Sequence, residues 1–287
     1  AHLCDGFKES TRKIYYGCRK RKLVKNEIRV AQLSGYISET TVYHHGEASL
    51  QEAIIGMAQD YVGANNINLL LPNGQFGTRV QGGKDAASPR YIHTLLSPLS
   101  LKIFREEDAP VLTYLNDDGI QVEPEYFIPI VPMVLINGAV GIGTGFSTNI
   151  PCYNPSDVCK QCHSIIAAIQ KALPDIRGKS DLAAIEQAIE KASIAEMQPW
   201  TLGFTGAIDS HKKEGTYSSK GKWKWIDDKT VEVTELPIGT WTEDYKEFLL
   251  SLITEGNPYL KDYENHYTDK HVRFILKLYD GKRGELE

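Results

Sequence analysis

The sequence lacks a long uninterrupted apolar run. No stretch approaches the ~18 uncharged apolar residues that a membrane-spanning helix needs, so we expect no membrane partner. The first residues, Ala1 to Lys13, are polar and basic without an apolar centre, so we expect no signal peptide. Internal repeats and low-complexity tracts are also absent. The hydrophobic and charged fractions, 41% and 24%, are ordinary for a globular protein.

Cysteine is scarce and irregularly placed. The five cysteines are Cys4, Cys18, Cys152, Cys159 and Cys162. An odd, scattered set without a secretion signal favours reduced thiols in an intracellular compartment over a disulfide framework. The abrupt first and last residues lead us to expect a fragment of a longer protein.

Few residues have the spacing of metal ligands. His44 and His45 are adjacent, so they cannot both face one metal from a single helix face, and no third ligand lies nearby in sequence. Cys159, Cys162 and His163 match the c-type haem attachment pattern, but Cys162 also belongs to an apolar helical stripe. We therefore predict core packing there and no metal site on this chain. A haem protein is a rival hypothesis that a Soret band would reveal.

Charge is distributed unevenly along the chain. The first thirty residues contain nine cations and three acids, a local charge of +6, whereas the whole chain carries -5. A basic field at one end of an acidic chain indicates a bound polyanion there. A solvated helix face is the alternative explanation.

The periodicity predicts an α+β fold whose first domain is helical. Apolar residues recur at helical spacing over Lys8–Lys22 and over Glu47–Val62. These helices predict a helix-turn-helix with Glu47–Val62 as the DNA-reading helix, and Ile28–Leu33 between them is either a helical turn or a strand. We expect a further helix from Tyr91 to Phe104, then a β wing with its turn at Asn116–Gly119.

Prolines mark the predicted domain boundary. Pro124, Pro129 and Pro132 place the first domain at residues 1–129 and the second at 130–287, since 287 residues are enough for two cores. The second domain is predicted to be α+β with a mostly antiparallel sheet. The expected elements are helices starting at Asn154 and over Asp181–Lys191 and Glu243–Ile253, and strands in Thr201–Ile208, Gly215–Ile226, Thr230–Leu236 and Val272–Leu278. It shows no nucleophile–base pair, so we predict a scaffold or DNA-supporting surface.

The stretch Gly74–Thr94, here called the glycine-rich segment, is the best candidate for chemistry. It contains four glycines and the cations Arg79, Lys84 and Arg90. Glycine allows positive φ and close approach to a ligand, and the cations suit a phosphate. An exposed Tyr91 beside Arg90 is a place where a phosphodiester can be attacked. Packing of Tyr91 is the alternative.

Two further places suit DNA. Tyr43, His44, His45 and Ser49 lie at the amino end of a predicted helix, where free N–H groups favour phosphate. The corner Gly141–Gly145 is not a dinucleotide fingerprint, since Phe146 replaces the third glycine. The apolar run before it ends at Ile136, which is either a wedge between base pairs or a buried strand residue.

Several ordered motifs resemble those of eukaryotic-type DNA topoisomerase II. They are Asp5-Gly6-Phe7-Lys8, Tyr43-His44-His45-Gly46-Glu47, Gly74-Gln75-Phe76-Gly77-Thr78-Arg79, Gly82-Gly83-Lys84-Asp85, Pro89-Arg90-Tyr91-Ile92 and Gly141-Ile142-Gly143-Thr144-Gly145, with Glu235-Leu236-Pro237 near the end. The resemblance covers nearly the whole chain and is weakest over residues 171–229.

The resemblance implies a type IIA topoisomerase fragment, a winged-helix domain followed by a tower domain of the breakage-reunion core. It implies transient double-strand cleavage through a 5′-phosphotyrosyl intermediate and religation, which permits ATP-dependent strand passage. Tyr91 is the implied nucleophile, and Arg90 the cation that stabilises charge on the phosphorane. We expect the glycine-rich segment to act as a mobile connection carrying both to the phosphate.

The resemblance also implies roles for other residues and for the environment. Arg12, His44 and His45 are expected around the scissile phosphate. The expected DNA contacts are Lys8, Tyr43, Ser49, Arg79, Lys84 and an intercalating Ile136. The implied partners are double-stranded DNA and a second copy of the full-length protein. Mg²⁺ and ATP are implied, with their binding residues outside this chain. The expected location is the nucleus, or a host cell or virion if the source is viral.

Two departures from the family pattern fall beside the inferred DNA contacts. Glu9-Ser10-Thr11 replaces the usual Pro-Gly-Gln, and Val140 and Phe146 replace Glu and Trp in the glycine-rich corner. Both leave Tyr91 and Arg90 unchanged. The alternative function is a non-catalytic module that binds and bends DNA.

Overall fold

The computed structural model describes residues 1–172, 182–211, 213 and 215–286. Its first part consists of α1 (Glu9–Lys20), β1 (Ile28–Arg29), α2 (Val30–Thr41), α3 (Glu47–Ala58), β2 (His93–Thr94), α4 (Pro98–Ile103), a 3₁₀ helix (Glu106–Val111), β3 (Tyr114–Asp117), β4 (Ile120–Pro124) and α5 (Met133–Ile136). The helices predicted around α1 and α3 are confirmed, and the ambiguous Ile28–Leu33 forms a short strand that continues into a helix.

The second part combines hairpins, helices and one larger sheet. Its elements are β5 (Ala139–Gly143), β6 (Phe146–Ile150), α6 (Pro155–Ala172), α7 (Leu182–Glu190), β7 (Ala207–Ser210), β8 (Tyr217–Lys220), β9 (Lys222–Trp225), β10 (Thr230–Glu235), α8 (Thr242–Thr254), β11 (Leu260–Asn265), β12 (Phe274–Leu278) and α9 (Arg283–Leu286). The sheet has the order β11-β12-β10-β9, and each described strand pair is antiparallel. A mixed α+β fold with antiparallel pairing was predicted. Asp181, the predicted start of one helix, lies outside the described residues.

Two hydrophobic cores organise these elements. The first core gathers α1 to α5 around Tyr15, Leu33 and Phe104 and extends to Val158. The second core lies between α8 and the four-stranded sheet, around Phe274. The predicted boundary between residues 129 and 130 does not coincide with the division of the cores, because Met133, Ile136 and Val158 pack into the first core. The domain limits stay a prediction.

The helix predicted from Tyr91 to Phe104 does not form as one element. His93 and Thr94 pair with Arg29 and Ile28 in β1–β2, and a helix begins only at Pro98. Ser97 caps this helix by accepting a hydrogen bond from the Ser100 N–H. Tertiary pairing therefore overrides the apolar helical spacing, which is a weak determinant of structure on its own.

A buried ion pair fixes the β3–β4 hairpin against the helices. Lys13 Nζ lies 2.9 Å from Glu123 Oε1, and it also donates to the Thr41 carbonyl at the end of α2. The aliphatic stem of Lys13 belongs to α1, so one side chain ties three elements together. None of the described helices combines the length and apolar character needed to cross a lipid bilayer.

Candidate functional site

Tyr91 projects from the turn before β2. Its side chain is 77% exposed, and its N–H donates to the Ser88 carbonyl. The backbone on either side is held by the start of α2, because the N–H groups of Val30 and Ala31 donate to the carbonyls of Ile92 and Pro89. The phenol is therefore free to reach a ligand while its backbone is fixed. A phenol is a weak nucleophile unless a base or a metal-bound partner assists it.

Cations flank this tyrosine. Arg90 is exposed, and the β1–β2 register places the exposed Arg29 opposite His93, two residues beyond Tyr91. Sequence reasoning counted Arg29 in the basic amino-terminal region but did not connect it to Tyr91, because the pairing of β1 with β2 was not predicted. Two guanidinium groups near an exposed phenol favour a phosphodiester ligand.

The glycine-rich segment is tied down along its length. Gly74, Gly77, Gly82 and Gly83 all have φ between 61° and 120°, the left-handed region that glycine tolerates. Asp85 accepts hydrogen bonds from the N–H and hydroxyl of Thr78. The predicted positive φ is confirmed, but these contacts do not describe a mobile connection. The exposed Lys84 stands on this segment.

Four of the predicted DNA contacts meet in one cleft of about 320 Å³. Lys8, Tyr43, His45 and Ser49 line it together with Glu9 and Ser10. The cleft lies at the amino end of α3, where Gly46 supplies no side-chain cap to the first N–H groups. The Tyr43 and His45 rings pack edge to face with centroids 5.4 Å apart. The cleft thus offers an ammonium group, hydroxyls and an imidazole to a phosphate.

His44 turns away from this cleft. Its Nε2 lies 3.0 Å from Asp117 Oδ2 on the β3–β4 hairpin. The two adjacent histidines therefore have different surroundings. Asp117 was not identified as a site residue, because the turn pattern around it predicted a hairpin and nothing about its partner.

Arg12 is used inside the protein. It is 8% exposed, its Nε donates to Asp5 Oδ2 at 2.9 Å, and its Nη2 donates to Asp5 Oδ1 and to the Phe7 carbonyl. Asp5 also accepts from the Phe127 N–H. This network fixes the segment before α1, so the structure does not present Arg12 to a scissile phosphate as expected.

Arg79 is also internal. It is 6% exposed, forms an ion pair with Glu235 and donates to the Leu236 carbonyl at 3.1 Å. The expected DNA contact at Arg79 is therefore not available in this structure. A cation in a glycine-rich loop gave no sequence signal for burial, because its carboxylate partner lies far along the chain.

The expected intercalating residue, Ile136, is buried in α5 with 1% exposure. It is a helical core residue, so neither the wedge nor the strand interpretation fits its position. The neighbouring β5–β6 hairpin instead carries exposed apolar side chains. Ile142 is 93% exposed, and Val140 and Phe146 are 63% and 74% exposed. The alternation of Val140 and Ile142 along one strand was the sequence signal for this face.

The cysteine and histidine patterns form no metal centre in the described part of the chain. No three His, Cys, Asp or Glu side chains come together there as potential ligands. Cys162 packs against the first core, and burial raises the pKa of its thiol, which keeps the sulfur protonated. The residues present therefore do not fit a Mg²⁺ or haem site, and no chemistry on this chain is assigned to a metal.

Comparison with known proteins places this geometry in a family. Residues 1–286 match the family model of DNA gyrase/topoisomerase IV. The chain is 46% identical over 282 residues to DNA topoisomerase 2 of Candida albicans, covering 98% of this chain and 18% of that protein. It is 47% identical over 280 residues to the Arabidopsis thaliana protein of the same name, covering 96% of this chain and 17% of that protein.

A solved structure agrees with the sequence comparisons. The chain superimposes on the Plasmodium falciparum topoisomerase II DNA-binding, cleavage and re-ligation domain with a TM-score of 0.87 and 44% identity. The match covers 99% of this chain and 36% of that chain. The fold is therefore that of a longer protein's cleavage region, of which this chain spans a part.

Proposed function

Because the chain belongs to the DNA gyrase/topoisomerase IV family, we propose that it is part of the DNA breakage-reunion core of a type II topoisomerase. The observation that carries this proposal is the exposed Tyr91, with its backbone fixed and Arg90 beside it. The complete activity, ATP-dependent strand passage, belongs to the longer protein, because the chain spans only 17% to 18% of its relatives.

The proposed reaction is a reversible transesterification. The Tyr91 oxygen attacks a backbone phosphorus, a tyrosyl O–P bond forms, and the bond from phosphorus to the 3′ oxygen breaks. The phenol proton goes to a base and the leaving 3′ oxygen takes up a proton, so a 5′-phosphotyrosyl end and a free 3′ hydroxyl result. No water is consumed, and the reverse attack of the hydroxyl reseals the strand.

Electrostatics supports the phosphate in this scheme. Arg90 and Arg29 would stabilise the charge that builds on the phosphorane. Lys8, Tyr43, His45 and Ser49 would hold the backbone in their shared cleft, and His44 would lie beside it with Asp117. Lys84 would add a salt-dependent contact from the glycine-rich segment.

The β5–β6 hairpin would bend the duplex. An apolar wedge that unstacks a base step must be exposed, and Ile142 meets this requirement whereas Ile136 does not. We therefore transfer the proposed intercalating role from Ile136 to Ile142. Val140 and Phe146 would extend the apolar contact beside it.

The finer description of the fold is part of the same proposal. α2 and α3 with the β3–β4 hairpin would form the winged helix, and the second core with its sheet would form the tower. The full-length protein would act as a homodimer and would use Mg²⁺ and ATP bound outside this chain. A nuclear location rests on the eukaryotic sources of the relatives, with a host cell or virion as the alternative for a viral source.

The test uses the longer protein that contains this chain, incubated with Mg²⁺ and end-labelled DNA and then denatured with detergent. Wild-type protein should trap covalent protein–DNA adducts, and Tyr91→Phe should trap none. Tyr279→Phe, a change at another exposed tyrosine, is the matched control and should retain adducts. Adducts formed by Tyr91→Phe would overturn the proposal and favour the alternative, a module that only binds and bends DNA.

A further inference from the structure

A buried ion pair joins the glycine-rich segment to the second core. Arg79 and Glu235 are 6% and 3% exposed. Glu235 also accepts from the N–H and hydroxyl of Thr205, and Arg79 donates to the Leu236 carbonyl. Removing one partner of such a pair leaves an uncompensated buried charge. The segment and the end of β10 are therefore bound to each other specifically.

A second contact lies beside the ion pair. A side chain at Gly82 would place its first carbon 2.2 Å from the Trp241 ring, so only glycine allows the segment to lie on this indole. Trp241 is also in edge-to-face contact with Tyr61, with centroids 5.9 Å apart. The indole thus fills the space between the segment and the residues that follow α3.

Hydrogen bonds continue this contact along the start of α8. The Glu243 N–H donates to the Val80 carbonyl at 3.0 Å, and the Gln81 amide donates to Glu243 Oε2 at 2.7 Å. The Thr242 N–H donates to the Arg79 carbonyl. The first turn of a helix has free N–H groups, and here they bind the glycine-rich segment.

The contact is linked structurally to Tyr91. Asp85 folds the segment back onto Thr78, and the Ala87 N–H donates to the Gln75 carbonyl at 2.8 Å. Gly77 lies against the backbone of Gly83, where an added side-chain carbon would approach to 2.6 Å. Ser88, next in the chain, accepts from the Tyr91 N–H. A continuous set of short contacts therefore runs from Trp241 to the tyrosine.

We propose that Arg79, Gly82, Glu235 and Trp241, here called the loop clamp, set the position of Tyr91 from the second core. Arg79 and Trp241 are positioning residues: they touch no DNA and act through the glycine-rich segment. The clamp makes DNA cleavage depend on where the second core lies, so that bending of DNA across that core is reported to the nucleophile. The inference rests on the proposed cleavage function.

The experiment compares Trp241→Ala, Trp241→Phe and Trp223→Ala in the longer protein. Covalent adduct formation at saturating DNA should fall on the order of 10- to 100-fold in Trp241→Ala, because small misplacement of a reacting group has effects of that size. Its Kd for DNA should stay near wild type. Trp241→Phe should recover much of the rate, and Trp223→Ala, at an exposed tryptophan of the sheet, should match wild type.

A second pair of variants covers the case in which Trp241→Ala melts at low temperature. Gly82→Ala should reduce adducts by collision with the indole, and Trp241→Ala added to it should reduce them no further. Independent, multiplying losses from the two changes would overturn the clamp. Wild-type adduct rates in Trp241→Ala would also overturn it. If Tyr91→Phe traps adducts, the cleavage function itself fails, which distinguishes the two ideas.

Discussion

His44 Nε2 lies 3.0 Å from Asp117 Oδ2, and this pair joins the junction before α3 to the β3–β4 hairpin. The side chains are 62% and 34% exposed, so water screens the pair. The opposite end of the hairpin is fixed by the buried Lys13–Glu123 ion pair. The hairpin can therefore orient a histidine of the proposed phosphate site without contacting DNA itself.

The first prediction concerns this pair. Asp117→Asn should lower DNA cleavage by at most about fivefold, because an exposed pair contributes roughly 0–1 kcal/mol. Asp118→Asn is the control: Asp118 has φ 50°, a conformation that asparagine tolerates, so cleavage should not change. Cleavage and DNA affinity are measured on the same preparations. Equal losses in both variants would show that hairpin charge, not the His44 contact, matters.

The second prediction separates Ile142 from Ile136. Ile142→Ala should leave the free energy of unfolding unchanged, because the side chain is 93% exposed, but it should reduce DNA bending and cleavage. Ile136→Ala should lower the free energy of unfolding by about 2–5 kcal/mol through a core cavity. Denaturant unfolding and end-to-end fluorescence transfer on a short duplex measure the two effects. Unchanged bending in Ile142→Ala would contradict the wedge.

The sequence predicted local features better than partnerships. Glycine at Gly82 signalled positive φ, and the structure confirms it. The same sequence gave no indication that Trp241 covers this glycine, because the contact joins distant parts of the chain. Likewise, Tyr91 was recognised from its neighbours, but the helix predicted after it gave way to pairing of β2 with β1. Residue-to-residue spacing carries helix and turn preferences, and tertiary pairing decides between them.

Charge was the least transferable signal. Arg12 and Arg79 were assigned to DNA because cations in basic or glycine-rich stretches usually face solvent. Each is instead neutralised by a carboxylate, Asp5 or Glu235, and is buried. The exposed cations Arg29, Arg90 and Lys84 are left for a polyanion. Burial of a charge depends on a partner that only the folded chain brings near.

The third prediction concerns the buried Lys13–Glu123 pair. Glu123→Gln should lower the free energy of unfolding by about 3–5 kcal/mol, because the Lys13 ammonium is left without its charge partner. Lys13→Met with Glu123→Leu should restore much of that loss, since an apolar pair needs no desolvation of charges. Glu125→Gln, at an exposed neighbour, is the control and should change stability by less than about 0.5 kcal/mol. Urea denaturation measures all four. A fully stable Glu123→Gln would argue against the ion pair.

The fourth prediction concerns a thiol in the first core. Burial raises the pKa of Cys18 from 9.0 to about 12, because the thiolate cannot be solvated there. The unfolded chain releases this proton near its ordinary pKa of about 8.5. The stabilising contribution of the neutral thiol is therefore complete below that pH and is lost as pH rises towards 12.

Urea denaturation from pH 7.5 to 10.5 or so tests this in wild type and Cys18→Ala. Wild type should lose more free energy of unfolding over that range than Cys18→Ala, although the alanine variant is less stable throughout from lost packing. Taking the difference between the two cancels other groups that titrate, such as Tyr15, whose pKa burial also raises. Cys4→Ala, at an exposed cysteine, should keep the wild-type slope. Parallel slopes in all three would mean that Cys18 ionises in the folded chain as easily as in the unfolded one, which a fully buried thiol cannot do.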